Sequence, residues 1–98
     1  MLVSVKDALR VSGADLDGEI QDLIDGAKAD LNLSGVAKTK IIDTDPLIKR
    51  AIILYCKAQF GYDEPKIADR FQQSYTSLKH HLTLSAEYTE EATEVVIE

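Results

Sequence analysis

Two adjacent histidines, His80 and His81, are by residue type the best candidates for a metal site. They lie in a stretch of helical periodicity, where consecutive side chains point about 100° apart. Such a pair cannot share one ion as histidines four residues apart do, and no HExxH or cysteine–histidine spacing supplies further ligands. We therefore expect no metal and no cofactor here, only a solvated helix end.

Cys56 is the only cysteine in the 98 residues, so no internal disulfide can form and synthesis in a reducing cytosol is expected. A nucleophilic thiolate needs a polar, partly exposed niche, whereas Cys56 ends an apolar run that starts at Ala51. The sequence also has no phosphate loop and no GxSxG motif. An enzyme or metal protein built around Cys56 and the two histidines is therefore the weakest hypothesis, and we expect no catalytic residues.

Carboxylates are concentrated early in the chain, at Asp15, Asp17, Glu19, Asp22 and Asp25. They lack the D-x-D-x-D-G order of a calcium loop and fit the solvated face of a helix. The net charge of -6 argues against tight binding to a phosphate backbone. The balance is reversed in residues 46–82, which hold six bases and three acids.

Helices are the elements that must position these residues. Apolar side chains recur at helical spacing in two long stretches. The first contains Leu16, Ile20, Leu23, Ile24, Ala27 and Leu31, and the second contains Ile67, Phe71, Tyr75, Leu78 and Leu82. Gly26 in the first stretch either permits a close helix contact or is merely tolerated. A shorter helix should open at Ser4, where a capping box with Asp7 is possible. The pattern predicts an all-α fold, a small bundle of about four helices.

The most apolar helix is predicted from "DPLIKRAIILYCKAQFG", residues 45–61. Asp45 fits the N-cap, Pro46 the first helical position, and Gly61 the residue past the C-terminus. Its main apolar arc is the expected core face, but Ile53, Cys56 and Phe60 fall on a second arc. That arc is either covered by neighbouring helices of the same chain or forms an interface between subunits.

Residues 31–45 are expected to form a mobile inter-helix loop or to carry a short strand. Beyond Leu84 the helical pattern stops, which divides the chain into a helical domain (1–84) and a non-helical tail (85–98) that is mobile or ordered by a partner. On assembly, the tail could pair as a strand with the loop of the same or a neighbouring chain. The residues involved would be Val95, Val96 and Ile97 of the tail and Lys40, Ile41 and Ile42 of the loop.

Three segments in this order resemble one known family: "LIDGAKADL" (23–31), "DPLIKRAIILYCKAQFGYDE" (45–64) and "SYTSLKHHL" (74–82). They are similar to the small head–tail connector, or head-completion, proteins of long-tailed bacteriophages, over about residues 3–84. The resemblance implies a non-enzymatic virion protein of a phage or prophage, located at the head–tail junction after synthesis in the host cytoplasm. It implies a homo-oligomeric ring that matches the twelvefold symmetry of the portal, extends the DNA channel, and contacts the portal protein and a tail-completion or stopper protein.

DNA would pass such a ring without specific binding. We expect Asp17, Glu19, Asp22 and Asp25 to line or rim the channel, unless they serve only solubility and the helix dipole. The alternative function is an acidic helical regulatory or adaptor protein that acts by protein–protein contact. Neither function involves a membrane, because the longest apolar run is six residues and a spanning helix needs about 20. Lys6, Asp7 and Arg10 also interrupt any signal peptide at the start of the sequence.

Overall fold

The protein is all-helical, as its periodicity predicts. The computed structural model describes residues 1–60 and 64–90, and within these ranges there is no β-strand. The helices are α1 (Leu2–Leu9), α2 (Asp17–Ser34), α3 (Pro46–Gln59), α4 (Pro65–Thr83) and α5 (Ala86–Thr89), with a 3-10 turn at Lys38–Lys40. None of these helices combines the length and the apolar character that crossing a membrane requires.

The start of α1 differs from the prediction, whereas α2 has favourable residues at both ends. Helix α1 begins at Leu2, so Ser4 lies inside it and does not cap it. Helix α2 begins at Asp17, which places Asp17 and Glu19 in the first turn, where carboxylates complement the helix dipole. It ends before Gly35, whose φ of 122° suits a residue without a side chain.

Helix α3 is the centre of the bundle, because α1, α2 and α4 all pack against it. Its start is fixed as predicted: the Asp45 carboxylate accepts hydrogen bonds from the backbone N–H of Leu47 (2.9 Å) and Ile48 (3.2 Å), and Pro46 follows the cap. Gly61, the predicted helix stop, lies outside the described residues. Helix α3 contributes Ile48, Ala51, Ile52, Leu54 and Cys56 to the buried core.

Helices α2 and α4 run in the same direction and α3 runs against both. Asp30 of α2 meets Tyr75 and Lys79 of α4, and the backbone of Gly35 lies beside Thr83. A Cβ added to Gly26 would lie 3.2 Å from the Tyr55 hydroxyl, so this glycine does permit a close approach between α2 and α3. The amino-terminal ends of α2 and α4 therefore lie at one end of the bundle and their carboxyl-terminal ends at the other.

The connection between α2 and α3 does not contain the short strand that was one of its two expected forms. Lys40 closes a 3-10 turn and Ile41 and Ile42 follow it, so these residues form no strand. Val36 and Ala37 are buried, and the Val36 carbonyl accepts a hydrogen bond from the side chain of Asn32 at 3.0 Å. Burial and hydrogen bonds anchor this connection to the bundle because its apolar residues complete the core.

The tail beyond residue 84 also differs from the expectation at its start. Residues Ala86–Thr89 form the short helix α5, and Tyr88 is 8% exposed. The backbone N–H of Ala37 donates to the Tyr88 carbonyl at 2.8 Å. The buried Tyr88 ring and this hydrogen bond together dock a four-residue helix that carries no apolar periodicity of its own.

Candidate functional site

The second arc of α3 is split between core and surface. Cys56 is fully buried, so it cannot meet another subunit, and its assignment to an interface is corrected. Burial raises the pKa of its thiol to about 11, which keeps the sulfur neutral and unreactive. Ile53 and Phe60 are half-buried and pack against the core with part of their surface exposed. These two residues remain the interface candidates on α3.

A shallow groove of about 630 Å³ runs between α3 and α4. Its floor is apolar, with Leu54 and Leu78, and its rim is basic, with Arg50, Arg70 and His81. The remaining lining residues are the polar Gln73, Ser74 and Ser77 of α4. We call this surface the basic groove. The sequence showed the excess of bases in α3 and α4, but only the packing of the two helices brings these side chains together.

A smaller hollow of about 330 Å³ continues beside it and contains the exposed side of Ile53. Lys57 lies over the ring of Phe71 there, with its Nζ 5.0 Å from the ring centroid. This cation–π contact gives the hollow an apolar wall and a positive charge. Ile53 therefore belongs to a mixed apolar and basic surface.

The first four acids of α2 lie at the surface with one exception. Glu19, Asp22 and Asp25 are exposed, and Asp25 accepts a hydrogen bond from Gln21 at 3.0 Å. Asp17 is half-buried and pairs with Lys6 of α1, with 2.7 Å between Nζ and the carboxylate oxygen. Asp17 thus holds α1 against α2, while the other three form an acidic surface.

Three polar side chains join α2 to α4. Asp30 accepts hydrogen bonds from the Tyr75 hydroxyl and from Lys79, the latter at 2.9 Å. Burial alone would raise the pKa of Asp30, but these two hydrogen bonds and the charge of Lys79 outweigh it and lower the pKa. Burial and the same hydrogen bond raise the pKa of Tyr75. The Tyr75 ring also packs edge-on against Tyr55, with 5.3 Å between the ring centroids.

A second non-local contact joins α5 to the start of α3. The Tyr88 hydroxyl donates to the Asp45 carboxylate, at 3.0 and 3.1 Å from its two oxygens. Burial and this hydrogen bond raise the pKa of Tyr88. Asp45 therefore caps α3 and anchors α5 at the same time, a double role that its sequence position did not reveal.

Three exposed leucines lie at the end of the bundle where α2 and α4 end and α3 begins. Leu33 in the last turn of α2 is 87% exposed, and Leu84 just past α4 is 74% exposed. Leu47 in the first turn of α3 shares a hollow of about 360 Å³ with Leu84 and Tyr88. We call this surface, defined by Leu33, Leu47 and Leu84, the leucine end. Exposed apolar patches of this kind are typical of docking surfaces.

The remaining candidate residues form no chemical site. His80 and His81 are both exposed, and among the described residues no group of three or more His, Cys, Asp or Glu side chains could hold a metal ion. Of the six residues expected to pair as strands, Lys40, Ile41 and Ile42 form no strand, and the other three lie outside the described residues. Those three are Val95, Val96 and Ile97.

Comparison with known proteins gives one family match. Residues 1–89 match the model of a family described as phage connector protein. No curated protein and no solved structure matches the chain. The matched range contains all five helices, including α5 with its anchor at Tyr88. Because the match covers most of the chain, the protein belongs to the family of phage connector proteins and is a structural protein of the head–tail connector type.

Proposed function

We propose that copies of this protein assemble as a ring at the portal vertex, join the capsid to the tail and extend the DNA channel. The observation that carries this proposal is the family match over residues 1–89. The exposed apolar surfaces support it, because a small protein with such surfaces gains stability when assembly covers them. The protein acts through contacts, with a lateral interface between copies and axial interfaces to its neighbours in the particle.

We assign the lateral interface to the part of α3 that carries Ile53 and Phe60. Ile53→Asp should abolish self-assembly and leave the helical circular-dichroism signal and the cooperative melt intact. Cys56→Asp is the contrasting variant, because a charge at this buried position should unfold the protomer. If Ile53→Asp also unfolds the chain, Ile53 belongs to the core and this lateral interface is wrong.

We assign the leucine end to an axial contact with the portal protein or with a tail-completion or stopper protein. Leu33→Asp combined with Leu84→Asp should abolish binding to one of these partners without lowering the melting temperature, because both side chains are exposed. Ile67→Asp is the matched control: Ile67 is 39% exposed and lies at the opposite end of the bundle, in the first turn of α4. A double variant that still binds every axial partner at wild-type affinity would contradict the assignment.

We place Glu19, Asp22 and Asp25 at the wall or rim of the channel. Carboxylates there would repel the phosphate backbone, whereas lysines and arginines would bind it in a salt-dependent way and slow its passage. The repulsion acts over about 10 Å at 0.1 M salt, so only acids close to the DNA matter. Changing these three residues to Lys should leave assembly intact but slow DNA ejection from reconstituted particles. Asp69→Lys, on the exposed surface of α4, is the control, and normal ejection by the triple variant would contradict the placement.

The proposal as a whole is tested with the purified protein and the portal protein encoded by the same virus. Analytical ultracentrifugation and negative-stain images should show a closed ring, either of the protein alone or once the portal is added. A protein that stays a monomer or dimer and does not bind the portal would refute the ring. That result would favour the acidic regulatory or adaptor protein instead.

A further inference from the structure

The basic groove is an exposed surface with an apolar floor and a basic rim. Leu54 and Leu78 form its apolar floor, and the exposed Arg50, Arg70 and His81 surround it. Within residues 1–60 and 64–90, neither arginine forms an ion pair with a carboxylate. A ligand for this surface needs carboxylates at its edges and apolar side chains between them, because arginine forms strong charge-assisted hydrogen bonds with carboxylates.

Residues 91–98, "EATEVVIE", have that composition. Glu91, Glu94 and Glu98 supply three carboxylates and no base, and the three consecutive residues between the last two glutamates are all β-branched and apolar. Those residues are Val95, Val96 and Ile97. We call residues 91–98 the acidic segment. No stretch of eight residues before this end of the chain combines three acids, no base and three consecutive β-branched apolar residues.

The last described residues lie near the His81 end of the groove. The described chain ends at Glu90, two residues after Tyr88, and Tyr88 shares a hollow with His81. His81 in turn lines the basic groove. The groove extends along α4 from Arg70 to His81, about 16 Å at 1.5 Å per residue. Eight extended residues span at most about 27 Å, so the acidic segment is long enough to follow the groove from its His81 end.

We propose that the acidic segment of the same chain binds in the basic groove, with its glutamates at the arginines and its apolar residues over Leu54 and Leu78. A tether of this length makes the contact intramolecular and gives the segment a local concentration of about millimolar. The segment therefore covers the basic groove. This inference holds whether or not the protein forms a ring.

The test uses the full-length chain and a synthetic peptide with the sequence EATEVVIE. In a tail variant, Glu91→Lys, Glu94→Lys and Val96→Asp are combined so that the segment no longer fits the groove. Peptide binding is measured by fluorescence anisotropy at low salt, after circular dichroism has shown unchanged helical content. The tail variant should bind the peptide, and the wild-type chain should bind it at least about tenfold more weakly because its own segment competes.

Two further substitutions in the tail variant locate the binding surface. Arg50→Glu should weaken peptide binding at least about tenfold, because it puts like charge at the groove. Lys66→Glu is the matched control: Lys66 is exposed on α4 but does not line the groove, and its change should alter binding by less than about twofold.

The proposal is overturned by any of four results. Equal peptide affinity in wild type and tail variant would mean that the groove is open in the full-length chain. No binding to the tail variant would mean that the groove does not recognise this sequence, and binding insensitive to Arg50→Glu would place the peptide elsewhere. Self-association that Arg50→Glu abolishes and the tail variant leaves unchanged would show that a second copy covers the groove.

Discussion

Replacing Tyr88 with Phe should lower the free energy of unfolding by about 1 to 2 kcal/mol, although the residue lies beyond the last long helix. The substitution removes one hydroxyl, which donates to the Asp45 carboxylate at 3.0 and 3.1 Å. The ring itself is 8% exposed and is retained in the variant. The loss therefore reports a single hydrogen bond to a charged acceptor and not the packing of α5.

Asp45→Ala should lower the free energy of unfolding by more than Tyr88→Phe does, because the same carboxylate also caps α3. It loses the acceptor for the backbone N–H groups of Leu47 and Ile48, which costs about 1 kcal/mol. It also leaves the buried Tyr88 hydroxyl without its partner, which costs a further 1 to 2 kcal/mol or so. When both substitutions are combined, no hydroxyl is left unpaired. The double variant should thus lose about 1 to 1.5 kcal/mol less than the sum of the single losses.

The assay is urea denaturation followed by circular dichroism, with the four proteins of the double-mutant cycle measured at pH 7. Tyr55→Phe is the control, because the Tyr55 hydroxyl forms no hydrogen bond with any residue among 1–60 and 64–90. Its stability should stay within about 0.5 kcal/mol of wild type. A coupling energy below about 0.3 kcal/mol between Asp45 and Tyr88 would refute the anchor of α5 to α3.

The pH dependence gives an independent check on the same contact. The pKa of Tyr88 is raised in the folded state by burial and by the hydrogen bond to Asp45. The hydrogen-bonded Tyr88 hydroxyl therefore contributes its full stabilisation at pH values below the tyrosine pKa of the unfolded chain, which is about 10. This stabilisation is lost as the pH rises further. Wild type should lose stability more steeply above pH 10 than Tyr88→Phe, and equal slopes would contradict the assignment.

Three further outcomes follow from the buried and closely packed residues. Cys56 should not react with a thiol reagent in the native protein at pH 8, since its pKa is about 11, and should react fully in urea; rapid native labelling would show that it is accessible. The lowered pKa of Asp30 adds stability above about pH 4, and this stability is lost as the pH falls. Asp30→Asn should therefore reduce the loss of stability at acid pH, and an unchanged pH–stability curve would contradict this contribution. Gly18→Ala places its new Cβ in open space and should raise the free energy of unfolding, measured by urea denaturation, by about 0.5 to 1 kcal/mol. Gly26→Ala should raise it by less, because its Cβ would press on Tyr55. Equal increases would mean that α2 and α3 do not approach closely at Gly26.

The sequence by itself determined the four longer helices and most of their core faces. Ile20, Ile24, Ala27 and Leu31 recur at helical spacing and all are fully buried. The start of α3 was also readable, because an N-cap aspartate followed by proline acts on the backbone within three residues. Such signals are local, so one sequence suffices to detect them. Ser4 shows their limit: the capping box was possible there, but the chain extended the helix to Leu2.

The candidate surfaces were predictable only in part. A helical wheel places Ile53, Cys56 and Phe60 on one arc, but it does not show which neighbouring helix covers that arc. The structure buries Cys56 and leaves Ile53 and Phe60 partly exposed. Three acids of α2 were readable as an exposed group, but Asp17 pairs with Lys6 and Asp30 with Lys79 on other helices.

Tertiary structure alone decided the contacts that join distant parts of the chain. Asp30 and Tyr75 are 45 residues apart, and Asp45 and Tyr88 are 43 apart. Neither pair has a spacing or motif that marks it, because such contacts depend on the relative direction and position of whole helices. The basic groove has the same origin. Its arginines are separate positions in the sequence, and they become one surface only because α3 and α4 pack side by side in opposite directions.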